Sequence, residues 1–353
     1  MGIIAFYVSE YGYGHAARSI ALIREILRMT DDMQIIVCHS FALPFMKDSL
    51  KIYEERVLFH EIETDIGYVL NQHSLLLDWQ ALEKQYGHYV RELPYIVELE
   101  VAFLKEFQVA CIISDISPIA FEVGERLAVP SIGISNFTWY TAYQDVVPRD
   151  LLDHFFRLYE KMDHFYSLAG SKEQWGKGKS KEFGFYSRQA EPLEVERIRS
   201  ELNPNRDKQI TFVPIGMRID IGDISNWKLW NNEACRFVVS SNMDVNHPNV
   251  VKIPREYTES QNYVAASDIV ISKAGWGTVS EAVVHGKKLF IIDRQGMRED
   301  QNTIEFLRKH NLCELITWER LQNLTIPIHH SNEARILYVN EVTNIASHIL
   351  MSV

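Results

Sequence analysis

The sequence predicts an α/β protein built as two doubly wound domains, and three observations carry that prediction. Short runs made almost wholly of apolar, β-forming residues recur along the chain, which is how strands buried on both faces read. Several of these runs lead through a glycine or polar turn into helical spacing, the strand–turn–helix order of a parallel sheet. At 353 residues the chain exceeds one ordinary core, so two domains are expected.

Residues 3–9 (IIAFYVS) read as a buried strand, apolar throughout. The turn EYGYG follows, and a helix starts near His15 with Ala16, Ile20, Ile23 and Ile26–Leu27 on its apolar face. Gln34–His39 supplies the next strand and completes a β-turn-α-β opening. Residues 72–107 show helical spacing, in the apolar and aromatic series that includes Trp79, Tyr86, Tyr89, Ile96, Leu99 and Phe103. Val109–Ser114 is a buried strand ending at Asp115, Ile119–Leu127 a helix, and Pro130–Ser135 a strand that runs into NFTWY. The stretch 170–190 is rich in Gly, Lys and Ser without periodicity and reads as a linker.

A second α/β unit follows, with strands at Ile210–Val213, Cys235–Ser240, Val250–Ile253, Asp268–Ser272 and Lys288–Asp293. Helices are expected after Gly277 and over Asp300–Lys309, and a long amphipathic one over Asn332–Met351. The expected domains are 1–188 and 189–334, with residues 335–353 packing back on the first.

Composition narrows the function. The chain is 46% hydrophobic and 24% charged, with a net charge of −11 and no Lys/Arg run, which argues against nucleic-acid binding. Its four cysteines are scattered without a CxxC pair, so neither a zinc site nor a disulfide framework is indicated; Cys38 and Cys111 read as buried thiols. No DxD cluster and no His/Cys ligand spacing suggests a metal. No run of about 18 apolar residues is present, so no transmembrane segment is expected. The opening GIIAFYVS is too short for a signal sequence and lacks a basic start, which makes a cytoplasmic location the expectation. The acidic balance disfavours an acceptor on an anionic membrane, although a small apolar patch leaves a peripheral membrane contact open.

The stretch Asp268 to Glu281 (DIVISKAGWGTVSE) carries the chemistry. An apolar strand enters a glycine turn that opens a helix, so free N–H groups and the positive helix end converge on one spot, a cradle for an anion. Gly275 and Gly277 are expected to permit close approach and positive φ. Taken alone, Thr278 and Glu281 also fit a capping box with Thr278 as N-cap. Asp300 fits a helix N-cap, and Lys273 a solvated lysine at a strand end.

With its flanks, AASDIVISKAGWGTVSEAVVHGKKLFIIDRQGMREDQN resembles the donor-binding signature of nucleotide-sugar glycosyltransferases of the GT-B fold, such as the plant and bacterial UDP-glycosyltransferases. The matching positions are Gly275, Trp276, Thr278, Glu281, Gly286, Asp300 and Gln301. GYGHAAR is similar to the Gly-x-Gly-His-x-x-Arg loop of the peptidoglycan GlcNAc transferase and of sugar-nucleotide hydrolases of related fold. SDISPIAFEVGERLAVPSIGISNFTWY resembles the N-terminal region of plant arabinokinases. The resemblance implies two Rossmann-like domains facing across a cleft, the first for an acceptor and the second for a UDP-sugar, with no cofactor beyond that co-substrate. It implies that the turn Gly275–Gly277 and the helix start hold the diphosphate, while Lys273, where plant members carry His, neutralises a phosphate. Glu281 would accept ribose hydroxyls, and Asp300 and Gln301 sugar hydroxyls. The chain departs from the pattern at Val213–Asp220, where PIGMRID holds the single glycine Gly216; Arg218 there would either replace lost N–H donors with charge or stand as an ordinary surface arginine.

Transfer with inversion needs a base, and His15 is the candidate. A helix N-terminus disfavours imidazolium and keeps the ring able to accept a proton. Asp115, at the end of another strand of the same domain, would orient it and stabilise its charged form, with an N-cap role for the following helix as the plain alternative. The acceptor or phosphate side is assigned to Gly12, Gly14, Arg18, Asn136 and Trp139, and an aromatic wall of Trp79, Tyr86, Trp139, Tyr140 and Tyr143 is weighed against ordinary core packing. The expected activity is inverting, metal-independent transfer from a UDP-sugar to a small-molecule or glycan acceptor. A sugar-nucleotide hydrolase using the same His15 and a silent nucleotide-sugar sensor are the alternatives. A dinucleotide oxidoreductase fits least, because GYGHAA is not G-x-G-x-x-G.

Overall fold

The computed structural model describes residues 2–70, 77–177, 179–215, 221–294, 297–326 and 337–353. The chain divides into two compact units: one comprises Met1–Leu70, Leu77–Gly184 and Glu341–Val353, and the other, among the described residues, Phe185–Asn340.

The first unit runs β1 (Ile3–Val8), α1 (Tyr13–Met29), β2 (Gln34–His39), α2 (Leu43–Ser49), β3 (Val57–Glu61), α3 (Trp79–Leu104) and β4 (Val109–Asp115). It continues with α4 (Ile119–Leu127), β5 (Ser131–Ser135), α5 (Trp139–Ala142), α6 (Arg149–Tyr159), β6 (His164–Ser167) and β7 (Ser180–Glu182). All seven strands are parallel, in the order β3-β2-β1-β4-β5-β6-β7. The apolar runs that mark β1, β2 and β4 lie at the centre of this sheet, buried by helices on both faces. Strand order reverses between β1 and β4, and in a doubly wound sheet the crevice outside the carboxyl ends at that point gathers ligands. His15 follows β1 and Asp115 ends β4.

The second unit runs α7 (Pro192–Leu202), β8 (Gln209–Val213), β9 (Cys235–Val239), β10 (Val250–Lys252), α8 (Gln261–Ala266), β11 (Ile269–Lys273) and α9 (Trp276–Val284). It ends with β12 (Lys288–Ile292), α10 (Arg298–Lys309), β13 (Glu314–Ile316) and α11 (Trp318–Gln322). Its parallel sheet, β10-β9-β8-β11-β12-β13, repeats the order of the first unit, with its switch between β8 and β11. The last helix, α12 (Val342–Leu350), belongs to the first unit, where Thr343 Oγ1 donates to Glu25 Oε1 of α1 at 2.5 Å.

Three expectations change. Among the described residues the middle helix starts at Trp79, where the Asp78 carboxylate accepts the Ala81 N–H at 3.0 Å and caps it. The stretch 170–190 is no loose linker: β7 lies within it, and Phe183, Phe185, Tyr186, Ser187 and Arg188 are buried. β7 is an edge strand whose Ser, Lys and Glu side chains all face water, so no apolar pattern marked it. The C-terminal helix is shorter than expected, beginning at Val342. β3, α7 and β13 also lacked a signal, since β3 and β13 are short edge strands and α7 is charged on most of its surface.

No helix among the described residues is long and apolar enough to cross a membrane. Cys38, Cys111 and Cys235 are buried free thiols, and Cys313 is half-buried.

Candidate functional site

In the first unit, α1 and β4 bring His15, Arg18 and Asp115 together. Gly12 precedes α1 with φ 79° and ψ 173°, a conformation essentially restricted to glycine, and it aims the first turn of α1 at the strand ends. A Cβ on Gly14 would meet nothing within 4 Å, so that position leaves space open beside the imidazole loop. His15 Nδ1 lies 3.0 Å from Asp115 Oδ1. Arg18 Nε donates to Asp115 Oδ2 at 2.7 Å, and Arg18 Nη2 bonds Oδ1 as well. Ser19 Oγ adds a bond to Oδ2 at 3.3 Å. Arg18 is therefore neither solvated nor open to an anion, as it also donates to Asn136 Oδ1 at 3.1 Å and Ser135 Oγ at 3.0 Å.

This arrangement fixes protonation. Burial opposes ionisation of Asp115, but Arg18 and His15 overcome it and hold the carboxyl down at about 2. Burial lowers the His15 pKa, the Arg18 charge lowers it further, and Asp115 pulls it partly back. The lowered pKa favours the neutral ring at pH 7. Nδ1 lies 3.0 Å from both Asp115 Oδ1 and Arg18 Nη2, and the tautomer that donates Nδ1–H to Asp115 is the one that would leave the Nε2 lone pair free. Asp115 does not cap the next helix, whose N-cap position is Pro118. Directly after Asp115, Ile116 sits at φ 58°, a left-handed conformation that β-branched residues resist and that is found where function over-determines the backbone.

The aromatic residues do not make an open wall. Tyr86, Trp139 and Tyr143 are fully buried and pack on one another, with Trp139 and Tyr143 stacked at 5.2 Å, while Trp79 faces solvent and Tyr140 packs on Phe156 and Trp175. Their large apolar area makes them core. Trp139 still neighbours the base, its ring 6.5 Å from that of His15.

In the second unit, β11 leads into α9 as the anion cradle requires, with Gly275 at the N-cap position. Two local expectations are corrected. Gly275 has φ −59° and Gly277 lies inside the helix, so neither uses left-handed freedom; at Gly275 an added Cβ would press on the Lys273 chain at 3.4 Å. Because the helix begins at Trp276, Thr278 lies in its first turn and is not the N-cap, so no capping box forms. Trp276 is buried against Phe185 and Tyr186 at ring distances of 5.7 and 5.3 Å, an anchor for the helix start.

Glu281 is buried and ion-paired with Arg188 Nη2 at 3.1 Å. Asp300 occupies the first turn of α10, where the N-cap position is Met297, and it accepts Arg294 Nε at 2.7 Å and Nη2 at 2.8 Å. Gln301 donates to Asp293 Oδ1 at 3.2 Å. Lys273, half-buried at the end of β11, is pushed down to about 8, first by burial and then by the Arg294 charge, against the pull of Asp300 and Glu299. Gly216 and Arg218 lie outside the described residues. Among those residues, no group of three or more His, Cys, Asp or Glu is arranged to hold a metal ion.

Sequence reading passed over Arg188, Arg294 and Asp65. Arg294 lies two residues past the end of β12, so the rule that strand carboxyl ends gather functional residues could have flagged it. Arg188 was hidden in the apparent linker, and Asp65 in a stretch without periodicity.

Residues 239–333 match the glycosyltransferase family 28 C-terminal domain. The L-arabinokinase of Arabidopsis thaliana is 25% identical over 324 residues, covering 86% of this chain but 30% of that protein, so the chain spans less than a third of that relative. Among solved structures, Arabidopsis thaliana UGT89C1 complexed with UDP has a TM-score of 0.61 at 11% identity, over 99% of this chain and 90% of that one. The same protein complexed with UDP-L-rhamnose gives 0.61 at 13% identity, over 89% and 84%. Medicago truncatula UGT71G1 complexed with UDP-glucose gives 0.60 at 12% identity, over 99% and 90%. At such identities the likeness establishes the fold, which is GT-B. The chain therefore has the GT-B fold, and its C-terminal side is similar to the glycosyltransferase family 28 C-terminal domain.

Proposed function

We propose that the protein is an inverting, metal-independent glycosyltransferase of the cytoplasm that moves a sugar from a UDP-sugar to an acceptor hydroxyl. The observation that carries this reading is the His15 Nδ1–Asp115 Oδ1 pair at 3.0 Å, at the carboxyl ends of the adjacent strands β1 and β4. In the proposed step His15 Nε2 takes the acceptor proton while the hydroxyl oxygen bonds to the anomeric carbon. The carbon–oxygen bond to the diphosphate breaks on the opposite side, and its electron pair leaves with UDP. Asp115 stabilises the imidazolium so formed. The first turn of α9 and Lys273 take the charge that develops on the leaving diphosphate. Glu281 and the pair Asp300–Gln301 remain proposed ribose and sugar contacts, with Arg188 and Arg294 holding the two carboxylates. No cofactor is assigned, and no metal, because the sequence offers no DxD cluster.

The UDP-bound and UDP-sugar-bound relatives support the uracil nucleotide, and UGT89C1 complexed with quercetin supports a small hydroxylated acceptor. A second reading, hydrolysis with water in place of the acceptor, is favoured by the burial of Tyr86, Trp139 and Tyr143, which leaves those rings no face for a large acceptor to stack on.

The test is UDP release from a panel of UDP-sugars, with and without hydroxylated acceptors. His15→Ala should lower turnover by about 10²–10⁴-fold while UDP still raises the melting temperature. An active variant would remove the proposed base. Absence of a thermal shift with any nucleotide would sink the donor site. Free sugar released at a catalytic rate without acceptor selects hydrolysis, and nucleotide binding without any turnover selects a silent sensor.

A further inference from the structure

The chain between β3 and α3 crosses the carboxyl ends of β1 and β4. Thr64 Oγ1 donates to Val8 O at 2.5 Å, and Thr64 O accepts Ser117 Oγ and Tyr89 Oη, each at 2.8 Å. This fixes the next residue, Asp65, under the loop that carries His15. Asp65 Oδ1 accepts Ser9 Oγ at 3.2 Å and the Glu10 N–H at 3.1 Å, while Oδ2 accepts Trp139 Nε1–H at 3.0 Å. Its carboxylate is buried, and these bonds run to the β1–α1 loop and to Trp139, not to His15.

We propose that Asp65 is a positioning residue for His15, whose carboxylate locks the β1–α1 loop and the Trp139 ring beside the imidazole into one arrangement. The proposal rests on the reading of His15 as the base.

The donor set explains why a carboxylate stands here. Three donors converge on two oxygens, and an amide would turn its NH₂ toward one of them. The loop is held at a second point by Glu10, whose carboxylate accepts the N–H groups of Ser40 at 2.8 Å and Phe41 at 3.0 Å and lies 3.2 Å from His39 Nδ1. Beyond the loop, Tyr11 packs on Trp139 at 5.6 Å, and Phe137 bridges Trp139 at 5.3 Å and His15 at 6.0 Å. A shift of the indole is thereby passed to the imidazole through packed rings.

Holding charge at this point is costly. Burial and the neighbouring Glu10 push the Asp65 carboxyl up to about 7, against its three hydrogen bonds. The other titratable groups that face it are Tyr89 of α3, Tyr143 after α5 and Tyr159 of α6, all held protonated by burial, and His39 behind Glu10. Burial lowers the His15 pKa from its ordinary value, away from the range in which Asp65 titrates. Above neutrality the carboxylate accepts all three bonds; below it, the added proton meets a donor and the anchor loosens. A purely structural polar contact gains nothing from a charge in such surroundings, whereas a site that needs one fixed loop does.

The experiment uses the full chain and its UDP release from UDP-sugars. Asp65→Asn should lower kcat by about tenfold or more, with KM for the donor within about twofold, because a small displacement of a base costs turnover and the donor motif lies in the other unit. The wild-type rate should show an acid limb near pH 7 that the variant lacks. A variant that was merely less stable would keep that limb. Independently of activity, the ¹⁵N-indole signal of Trp139, assigned through Trp139→Phe, should titrate with a midpoint of about 7 in the wild type and stay fixed in Asp65→Asn. An indole signal that does not move through neutrality, or an Asp65→Asn enzyme with unchanged kcat and acid limb, overturns the proposal. If His15→Ala keeps full turnover, the base reading fails and takes the catalytic part with it, while the indole titration still decides whether Asp65 holds the loop.

Discussion

Arg188 Nη2 lies 3.1 Å from Glu281 Oε1, and both side chains are buried within the second unit. The same guanidinium donates to Thr258 O at 2.7 Å and Ser260 Oγ at 3.1 Å, so it ties the first residues of the unit to α9 and to the approach to α8. Burial raises the Glu281 pKa and Arg188 opposes it. Removing the arginine leaves a carboxylate in the interior without its counter-charge. Arg188→Ala is therefore expected to destabilise the protein by about 3–5 kcal/mol and to weaken UDP binding, if Glu281 meets the ribose. Urea unfolding and calorimetric titration with UDP check the two effects separately, and unchanged unfolding would mean that the pair contributes nothing.

Asp115 carries a pH signature. Its carboxyl is held at about 2, below the usual range near 3.8. Between these values the unfolded chain binds more protons than the folded one, so stability is complete above about pH 4 and is lost as pH falls toward 2. This window is worth about 2 kcal/mol. Asp115→Asn should remove that dependence and leave the buried Arg18 without this counter-charge, at a total cost of about 3–5 kcal/mol. The stability gap between the two proteins should narrow by about 2 kcal/mol as pH falls from about 4 to about 2; parallel curves would refute the assignment.

Gly67 sets the distance between the Asp65 segment and the His15 loop. It has φ +61°, and a Cβ there would lie 2.8 Å from Tyr11 Cβ, a separation that forces Tyr11 to move. Gly67→Ala should cost about 1–3 kcal/mol and reduce turnover more than UDP affinity, because the displaced tyrosine belongs to the loop that carries His15. A melt equal to wild type would show that the backbone absorbs the methyl group without strain.

What the sequence made legible follows from periodicity. β1, β2 and β4 are central and buried on both faces, so their apolar runs identified them; the helix-start position and the GYGHAAR resemblance then singled out His15, and the rule for strand carboxyl ends Asp115, and the two meet at 3.0 Å. β7 and β13 are edges with polar or half-exposed side chains, and no pattern marks such strands. Pairings distant in sequence were equally hidden: Arg188 to Glu281 spans 93 residues and Trp139 to Asp65 spans 74. Residue type shows that a buried charge needs a partner, but only the fold says which one.

Lys273 gives the sharpest test of the anion cradle. Its ammonium sits at the end of β11, before the first turn of α9, and the Arg294 guanidinium that lowers its pKa is itself held by both oxygens of Asp300. At a pKa of about 8 the free protein has lost much of this charge by pH 9. Between about 8 and the unfolded value near 10.5 the unfolded chain holds the extra proton, so this lysine makes stability rise with pH in that window. A bound diphosphate reverses the balance, because its charge favours the ammonium, and binding must then take up a proton. UDP affinity is expected to fall as pH rises through 8, by at most about tenfold per pH unit. Calorimetry in buffers of different ionisation heat should detect that proton directly. Lys273→Met should bind UDP about tenfold more weakly at neutral pH and lose the pH dependence, as expected for removal of one charge-assisted contact of 1–2 kcal/mol or so. Affinity that is flat from about pH 7 to 9 would exclude Lys273 from the phosphate site and leave the helix N-terminus to act without it.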